Sequence, residues 1–94
     1  MSHTQDENSK DVFVINELGL HARSAAKIAE IALNAESKVW ISKEDGENVD
    51  AKSIIDMLTL ACVKRTKITI KIESQSDIKI LNDIVQLVEN GFGE

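Results

Sequence analysis

Apolar residues recur along the chain with two periods, one typical of strands and one of helices. Short β-branched runs at residues 12–15 and 39–41 predict two strands, and the strict alternation of residues 67–73 predicts another with one buried face. This alternation favours an antiparallel sheet. The Asp-Gly pair at residues 45–46 is a hairpin signal, so residues 47–50 are expected to return as a further short strand.

Three segments carry apolar residues at helical spacing, at residues 22–34, 53–61 and 78–88. Their apolar stripes are, in order, Ala25, Ile28, Ala29, Ala32 and Leu33, then Ile54, Ile55, Leu58 and Ala61, and last Ile78, Leu81, Ile84, Val85 and Val88. Ser76 and Asp77 are expected to cap the third helix, and Gly91 to end it. The order β-α-β-β-α-β-α predicts an α+β fold, a four-stranded antiparallel sheet covered on one face by three helices.

The length and charge of the chain exclude several classes of function. Its 94 residues suffice for one small domain, which we place at residues 11–94 behind a flexible polar tail of residues 1–10. The net charge of -5 and the scarcity of aromatic residues (one Trp, two Phe) argue against a nucleic-acid partner. No apolar run reaches the roughly 18 residues of a membrane span, so we expect no membrane insertion and a cytoplasmic location.

The residues that could bind a metal do not form a cluster of metal-ligand type. Cys62 is the one cysteine, so it cannot form an internal disulfide, and we expect it to be a small buried side chain. We therefore expect neither a metal nor a cofactor.

A loop that contains Gly19 is predicted to end where an alanine-rich helix begins, with His21 and Arg23 at the junction. The first turn of a helix presents unpaired N–H groups and partial positive charge, so it suits an anion such as phosphate. The same charge disfavours the imidazolium by about 0.3–1 kcal/mol, which leaves His21 a free lone pair for attack on phosphorus. Arg23 can then neutralise charge on the phosphoryl group. A lone histidine is more often a surface or capping residue, and this setting is what favours a functional one.

Ser53 has two interpretations. It precedes a predicted helix, so its simpler role is that of the helix N-cap. Ile54, Ile55 and Leu58 follow it, and so short a helix rarely buries two successive residues. We therefore expect Ile54 or Ile55 to be exposed, and an exposed apolar patch of this kind is typical of a docking surface.

Two motifs stand out, Gly-Leu-His-Ala-Arg-Ser-Ala-Ala at residues 19–26 and Ala-Lys-Ser-Ile-Ile at residues 51–55, and Gly-Phe-Gly-Glu at residues 91–94 adds to them. They resemble motifs of HPr, the phosphocarrier family of the bacterial phosphoenolpyruvate-dependent phosphotransferase system. The resemblance covers residues 12–94 and implies an open-faced β-sandwich of the element order predicted above.

The resemblance implies a carrier that other proteins phosphorylate and dephosphorylate, rather than an enzyme. Enzyme I would phosphorylate His21 on Nδ1, and an enzyme IIA domain would receive the group from it. Arg23 would be the charge partner, with the backbone at Ala22, Arg23 and Ser24 facing the phosphate. A carrier of this kind is expected to act as a monomer.

The resemblance also implies a regulatory site and a docking surface. Ser53 matches the serine that HPr kinase/phosphorylase modifies in many members, so that enzyme is a further candidate partner. The expected docking residues are Leu20, Ile54, Ile55 and Leu58. Phosphate on Ser53 would place about -1.5 to -2 charges near this patch and oppose docking.

Three departures from the family pattern stand out. Ser24 replaces a usual proline, which is expected to leave a slightly less rigid but functional loop. Ala61 and Arg65 replace common glycines after the second helix. The hairpin at residues 44–47 is about one residue longer than in many sugar-system members, which, with the ending at 91–94, leans toward proteobacterial forms, including the nitrogen-related branch.

Two rival functions stay open. A regulatory binding module of the same fold would have its phosphorylation state read by a target protein. A small-molecule-binding α+β domain with an inert His21 would instead require an apolar pocket of ligand size between the helices and the sheet.

Overall fold

Four antiparallel strands form one sheet in the computed structural model, which describes residues 7–44 and 46–94. The strands are β1 (Ser9–Phe13), β2 (Val39–Lys43), β3 (Val49–Asp50) and β4 (Lys67–Ile72). Their order across the sheet is β1-β4-β2-β3, and the register pairs Val12 with Ile68 and Ile41 with Ile70. The predicted antiparallel sheet is confirmed.

Three helices cover the sheet, and they are α1 (Ala22–Ala32), α2 (Ile54–Leu58) and α3 (Ile78–Glu89). The core lies between the two layers, because alternate strand residues such as Ile68, Ile70 and Ile72 are buried together with the apolar faces of α1 and α3. The predicted fold class, an α+β open-faced sandwich, is confirmed. Fully buried side chains of both layers form one cluster, as helices packed directly on a sheet require.

The first strand begins earlier than the sequence predicts. Ser9 and Lys10 pair with Lys71 and Ile70 of β4, so these two residues belong to the sheet and not to the tail in which we placed them. Their polar side chains give no strand signal in the sequence, because β1 lies at the sheet edge, where side chains meet solvent. Residues 1–6 of the expected tail, and Asp45 of the expected hairpin signal, lie outside the described residues.

The start of α3 corrects our prediction of its cap. Ser74, not Ser76, provides the first cap: its hydroxyl accepts a hydrogen bond from the backbone N–H of Ser76 at the start of a 3₁₀ turn, Gln75–Asp77. The carboxylate of Asp77 is buried and accepts from the backbone N–H groups of Glu36 and Ser37 at 2.9 and 3.0 Å. Asp77 therefore joins the α1–β2 loop to α3 instead of capping the helix.

Two predicted apolar stripes are wrong in part. Leu33 follows α1 as its C-cap and is 65% exposed, because the helix ends before this position can turn inward. In α2 the buried residue is Met57, whereas Ile54, Ile55 and Leu58 point outward. Ala61 lies beyond the end of this helix in a left-handed conformation, with φ at 53°.

Candidate functional site

The loop before α1 depends on Gly19. Its φ is +69°, and a Cβ added there would lie 2.4 Å from the carbonyl oxygen of Cys62. The next residue, Leu20, donates its backbone N–H to the same carbonyl at 2.9 Å. Only glycine combines this dihedral angle with so close an approach, so the turn fixes where the following residue enters the helix.

His21 is the N-cap of α1. Its backbone is extended, and its Nδ1 accepts a hydrogen bond from the backbone N–H of Arg23 at 3.3 Å. In return the hydroxyl of Ser24 accepts the backbone N–H of His21 at 2.8 Å, which completes a capping box. The imidazole therefore lies over the first turn of the helix, where the sequence predicted it.

The carboxylate of Glu94 forms a hydrogen bond with the second ring nitrogen of His21, Nε2. Glu94 Oε2 lies 2.6 Å from His21 Nε2, and Glu94 Oε1 accepts from Asn16 Nδ2 at 2.9 Å. A carboxylate accepts, so Nε2 carries a proton, and the N–H of Arg23 needs a lone pair on Nδ1. The two contacts agree on one tautomer, with the proton on Nε2 and a lone pair on Nδ1.

The charge of Glu94 is favoured by its surroundings. The hydrogen bond from Asn16, then the hydrogen bond and charge of His21 and the charge of Arg23, hold the pKa of this carboxyl below its ordinary value, although burial opposes them. The carboxylate is therefore ionised at neutral pH beside the imidazole. An ionised partner strengthens the hydrogen bond to Nε2.

Arg23 lies in the first turn of α1 with its side chain exposed. In the part of the chain that the structure describes, its guanidinium forms no ion pair. The backbone N–H groups at Ala22 and Arg23 belong to the first turn, which has no carbonyl partners of its own. This end of α1 therefore offers both fixed and mobile positive charge to an anion.

The side chain of Ser24 forms its hydrogen bonds within the loop and the first turn of α1. It is fully buried, and its hydroxyl donates toward the carbonyl oxygens of Gly19 and His21 at 3.2 and 3.1 Å. The hydroxyl therefore holds the loop and is not directed at a phosphate. Its backbone N–H stays a predicted phosphate contact.

The segment that carries Glu94 is bent into position. Gly91, Phe92 and Gly93 all have positive φ, at 64°, 59° and 75°. The Phe92 ring is buried, and Lys27 of α1 donates to the carbonyl oxygen of Phe92 at 2.6 Å. We call residues 91–94 the C-terminal strap.

Sequence reasoning missed Glu94, Asn16 and Lys27 as site residues. Two glycines around one phenylalanine indicate a tight turn with an apolar anchor, and that signal was present. The contact of Glu94 with His21 joins residues 73 positions apart, so no local pattern reveals it.

The surface next to the site is apolar. Ile54, Ile55 and Leu58 of α2 are exposed, so the expected patch is present and includes both isoleucines. Ile54 and Arg23 line one shallow groove between α2 and α1, which joins the patch to the charged residue of the site. Leu20 corrects our docking prediction: it is 7% exposed, because its side chain packs into the core.

Ser53 begins α2, as predicted. Its side chain accepts a hydrogen bond from the backbone N–H of Asp56 at 3.1 Å, and the residue is half-buried. The hydroxyl is thus an N-cap that still reaches the surface, directly before the apolar patch.

The two replaced glycines lie where a glycine would be expected. Ala61 and Arg65 have φ of 53° and 79°, the left-handed region in which glycine is unstrained. Between them Cys62 is buried as predicted, and burial raises the pKa of its thiol. The α2–β4 loop therefore places two non-glycine residues in a conformation that favours glycine.

The described part of the chain offers neither a metal site nor a membrane-spanning helix. Residues 7–44 and 46–94 contain no group of three or more side chains that could hold a metal ion. No helix in this part of the chain is long and apolar enough to cross a membrane.

A histidine that caps the first helix of an open-faced α+β sandwich, with the lone pair of Nδ1 over the helix start, defines a class of protein suited to carry a group on that side chain. The family model "PTS HPr component phosphorylation site" matches residues 8–90. The chain belongs to the HPr family of phosphocarrier proteins, and its role is that of a phosphocarrier of the phosphotransferase system.

Individual relatives agree with this assignment. Phosphocarrier protein HPr of Cupriavidus necator is 36% identical over 85 residues, which is 90% of this chain and 94% of that one. Phosphocarrier protein NPr of Klebsiella oxytoca is 31% identical and covers 88% and 92% of the two chains. The crystal structure of HPr-C-His from Thermoanaerobacter tengcongensis superposes with a TM-score of 0.83 at 29% identity, covering 92% of this chain and 96% of that one.

Proposed function

We propose that this protein accepts a phosphoryl group from enzyme I on His21 Nδ1 and passes it to a histidine of an enzyme IIA domain. The observation that carries the proposal is the placement of Nδ1, which faces the N–H of Arg23 at 3.3 Å over the start of α1. A phosphoryl group on Nδ1 would take the place of that contact. Its oxygens would then lie where backbone N–H groups and the helix dipole favour negative charge.

The transfer needs little covalent help from the protein. The Nδ1 lone pair forms the new N–P bond while the N–P bond of the donor phosphohistidine breaks and its electron pair returns to the donor ring. Such a transition state is loose, so orientation and fixed charge contribute most of the rate. Arg23, which is exposed and free of other ion pairs in the described chain, would follow the phosphoryl group between donor and acceptor.

The partners would dock on the apolar patch of α2 together with the first turns of α1. Ile54, Ile55 and Leu58 expose apolar surface beside Arg23, so a partner seated on them would bring its own histidine close to His21. A carrier must release each partner quickly, which suits a small interface of roughly 1,200 Å² or less. A monomer keeps this surface free, and we propose that state.

The test is incubation with enzyme I and phosphoenolpyruvate, followed by intact mass measurement before and after acid treatment. We expect the mass of one phosphate to be gained and to be lost in acid, and His21→Ala to gain none. A folded wild-type protein that stays unphosphorylated by enzyme I of its own host would contradict the proposal.

Ser53 would regulate this transfer. Phosphate on its hydroxyl would lie at the start of α2, where the helix end tolerates negative charge, so the helix would persist while the docking patch gains charge. We expect Ser53→Asp to accept phosphate from enzyme I more slowly than wild type by tenfold or more, and Ser53→Ala to keep the wild-type rate. Equal rates for Ser53→Asp and Ser53→Ala would contradict this role.

A second candidate function is a regulatory module whose phosphorylation state is read by a target protein. The exposed apolar patch of α2 favours it, because this patch adjoins Arg23 and a target protein seated there would contact the end of α1 that carries His21. Binding of host proteins to the unphosphorylated and the His21-phosphorylated forms separates the two functions. A target other than the transfer partners that prefers one form would favour the regulatory function.

A further inference from the structure

We infer that Glu94 is a positioning residue for phosphoryl transfer. Its carboxylate holds a proton on His21 Nε2, which directs the phosphoryl group to Nδ1 and balances the positive charge that the ring then acquires. The inference rests on the proposed function and concerns the same histidine, but it assigns a role to a residue outside both sequence motifs.

The contacts around the ring leave each nitrogen one role. Nε2 lies 2.6 Å from Glu94 Oε2, and Nδ1 accepts the Arg23 N–H at 3.3 Å. Free neutral imidazole exchanges between two tautomers, and only the one with the proton on Nε2 has a lone pair on Nδ1. Both contacts favour that tautomer, so the nucleophilic nitrogen is fixed before a donor arrives.

The anionic partner on Nε2 matters because phosphorylation gives the His21 ring a positive charge. The neutral ring attacks through Nδ1 and keeps its proton on Nε2, so the product ring carries one positive charge next to the phosphoryl group. When the group leaves for the next histidine, the electron pair of the N–P bond returns to Nδ1 and the ring is neutral again. A carboxylate hydrogen-bonded to Nε2 lies next to that positive charge and balances it.

The C-terminal strap is built to hold this carboxylate. Phe92 adopts a left-handed conformation that is strained for a bulky residue, and burial of its ring compensates for the strain. Lys27 fixes the Phe92 carbonyl oxygen, and Asn16, itself held to the Gly19 carbonyl oxygen at 2.8 Å, orients the second oxygen of Glu94. Lys27 of α1 and Asn16 of the loop before it therefore both help to position Glu94. An incidental surface ion pair would not need this support.

The experiment compares wild type with Glu94→Gln, Glu94→Asp and Glu89→Gln. Glu89 is exposed at the end of α3, so its substitution makes the same change in net charge away from the ring. Two quantities are measured on each protein: the tautomer of His21, from the ¹⁵N NMR shifts of its ring nitrogens, and the rate of phosphorylation by enzyme I. Thermal unfolding confirms that each variant is folded.

We expect wild type and Glu89→Gln to show the proton on Nε2 and the same rate. Glu94→Gln presents an amide that both donates and accepts, so we expect a mixture of tautomers and a rate about tenfold lower, as the loss of one hydrogen bond to a charged group predicts. Glu94→Asp should restore part of both.

Three results would overturn the inference. A wild-type tautomer in Glu94→Gln would show that the carboxylate does not fix it, even if the rate falls. An unchanged rate would show that the tautomer does not limit transfer. An equal loss in Glu89→Gln would assign the effect to net charge. If wild type itself is not phosphorylated, the proposed function fails, while the tautomer of the unphosphorylated protein still tests the contact with Glu94.

Discussion

The starts of α1 and α2 place a functional candidate on a helix N-terminus in two different ways. His21 begins a helix of 11 residues, five of them buried, and its ring is held on both nitrogens. Ser53 begins a helix of five residues whose one buried member is Met57. His21, whose ring must face phosphorus in one orientation, is held in place by the fold. Ser53, which would only carry an added charge, precedes a short helix with an exposed apolar face.

This contrast predicts that the loop before α1 tolerates substitution worst. Gly19→Ala combines a left-handed residue, which costs about 1–2 kcal/mol, with a backbone clash at 2.4 Å, which costs about 1–3 kcal/mol more. We expect a loss of about 4 kcal/mol in the free energy of unfolding, measured by urea denaturation. Phosphorylation of His21 should slow as well, because the turn sets where the ring lies.

Gly93→Ala is the matched control for that substitution. Its φ is +75°, and an added Cβ would meet no atom within 4 Å. The strain of the dihedral angle alone should then cost about 1 kcal/mol. Equal losses in the two variants would show that the close approach to Cys62 does not secure the site.

The attachment of α2 should depend on one side chain. Met57→Ala removes its fully buried residue and should lower the free energy of unfolding by about 3 kcal/mol. Ile55→Ala, at a position 76% exposed, should change it by less than about 0.5 kcal/mol but weaken binding to enzyme I. A large stability loss in Ile55→Ala would mean that the apolar patch is packed in solution and not free for a partner.

The sequence predicted the architecture because its signals are local. The alternation in β4 and the apolar stripe of α3 each lie within about a dozen residues, and both are confirmed with small shifts in their ends. Ser9 and Lys10 were not predicted as part of β1, because an edge strand need not be apolar. In α2 the spacing of Ile54, Ile55 and Leu58 is equally helical whether that face is buried or exposed, and the burial of Met57 decides it.

The sequence predicted the part of the site at the start of α1 and did not predict the part at the C-terminal strap. His21 and Arg23 lie in one motif at a predicted helix start, and the structure places both there. The charges inferred from that motif were incomplete, because they left out the carboxylate of Glu94, 2.6 Å from the ring. Glu94 reaches the ring through a turn of three left-handed residues, and neither its register nor its direction follows from sequence spacing.

The smallest expected effect concerns the contact between Glu94 and His21. We expect acid to change the start of α1, where this contact lies, and to leave the start of α2 unchanged. Hydrogen bonds from Asn16 and His21 hold the pKa of Glu94 below its ordinary value of 4.5 in the folded protein. Such a carboxyl contributes stability above its ordinary pKa, and the contribution is lost as pH falls through the lowered folded value. The strap should therefore loosen locally in acid.

NMR titration from neutral pH into the acid range measures this, since the pKa of the Glu94 carboxyl is lowered. We expect the resonances of Phe92 and Gly93 to shift in the acidic part of the range, while those of Met57 in α2 stay constant. Glu94→Gln should remove the shift, because it leaves no carboxyl to titrate at that position. Parallel shifts at Met57 would instead indicate global acid unfolding, in which case the strap would be no more sensitive than the rest of the fold.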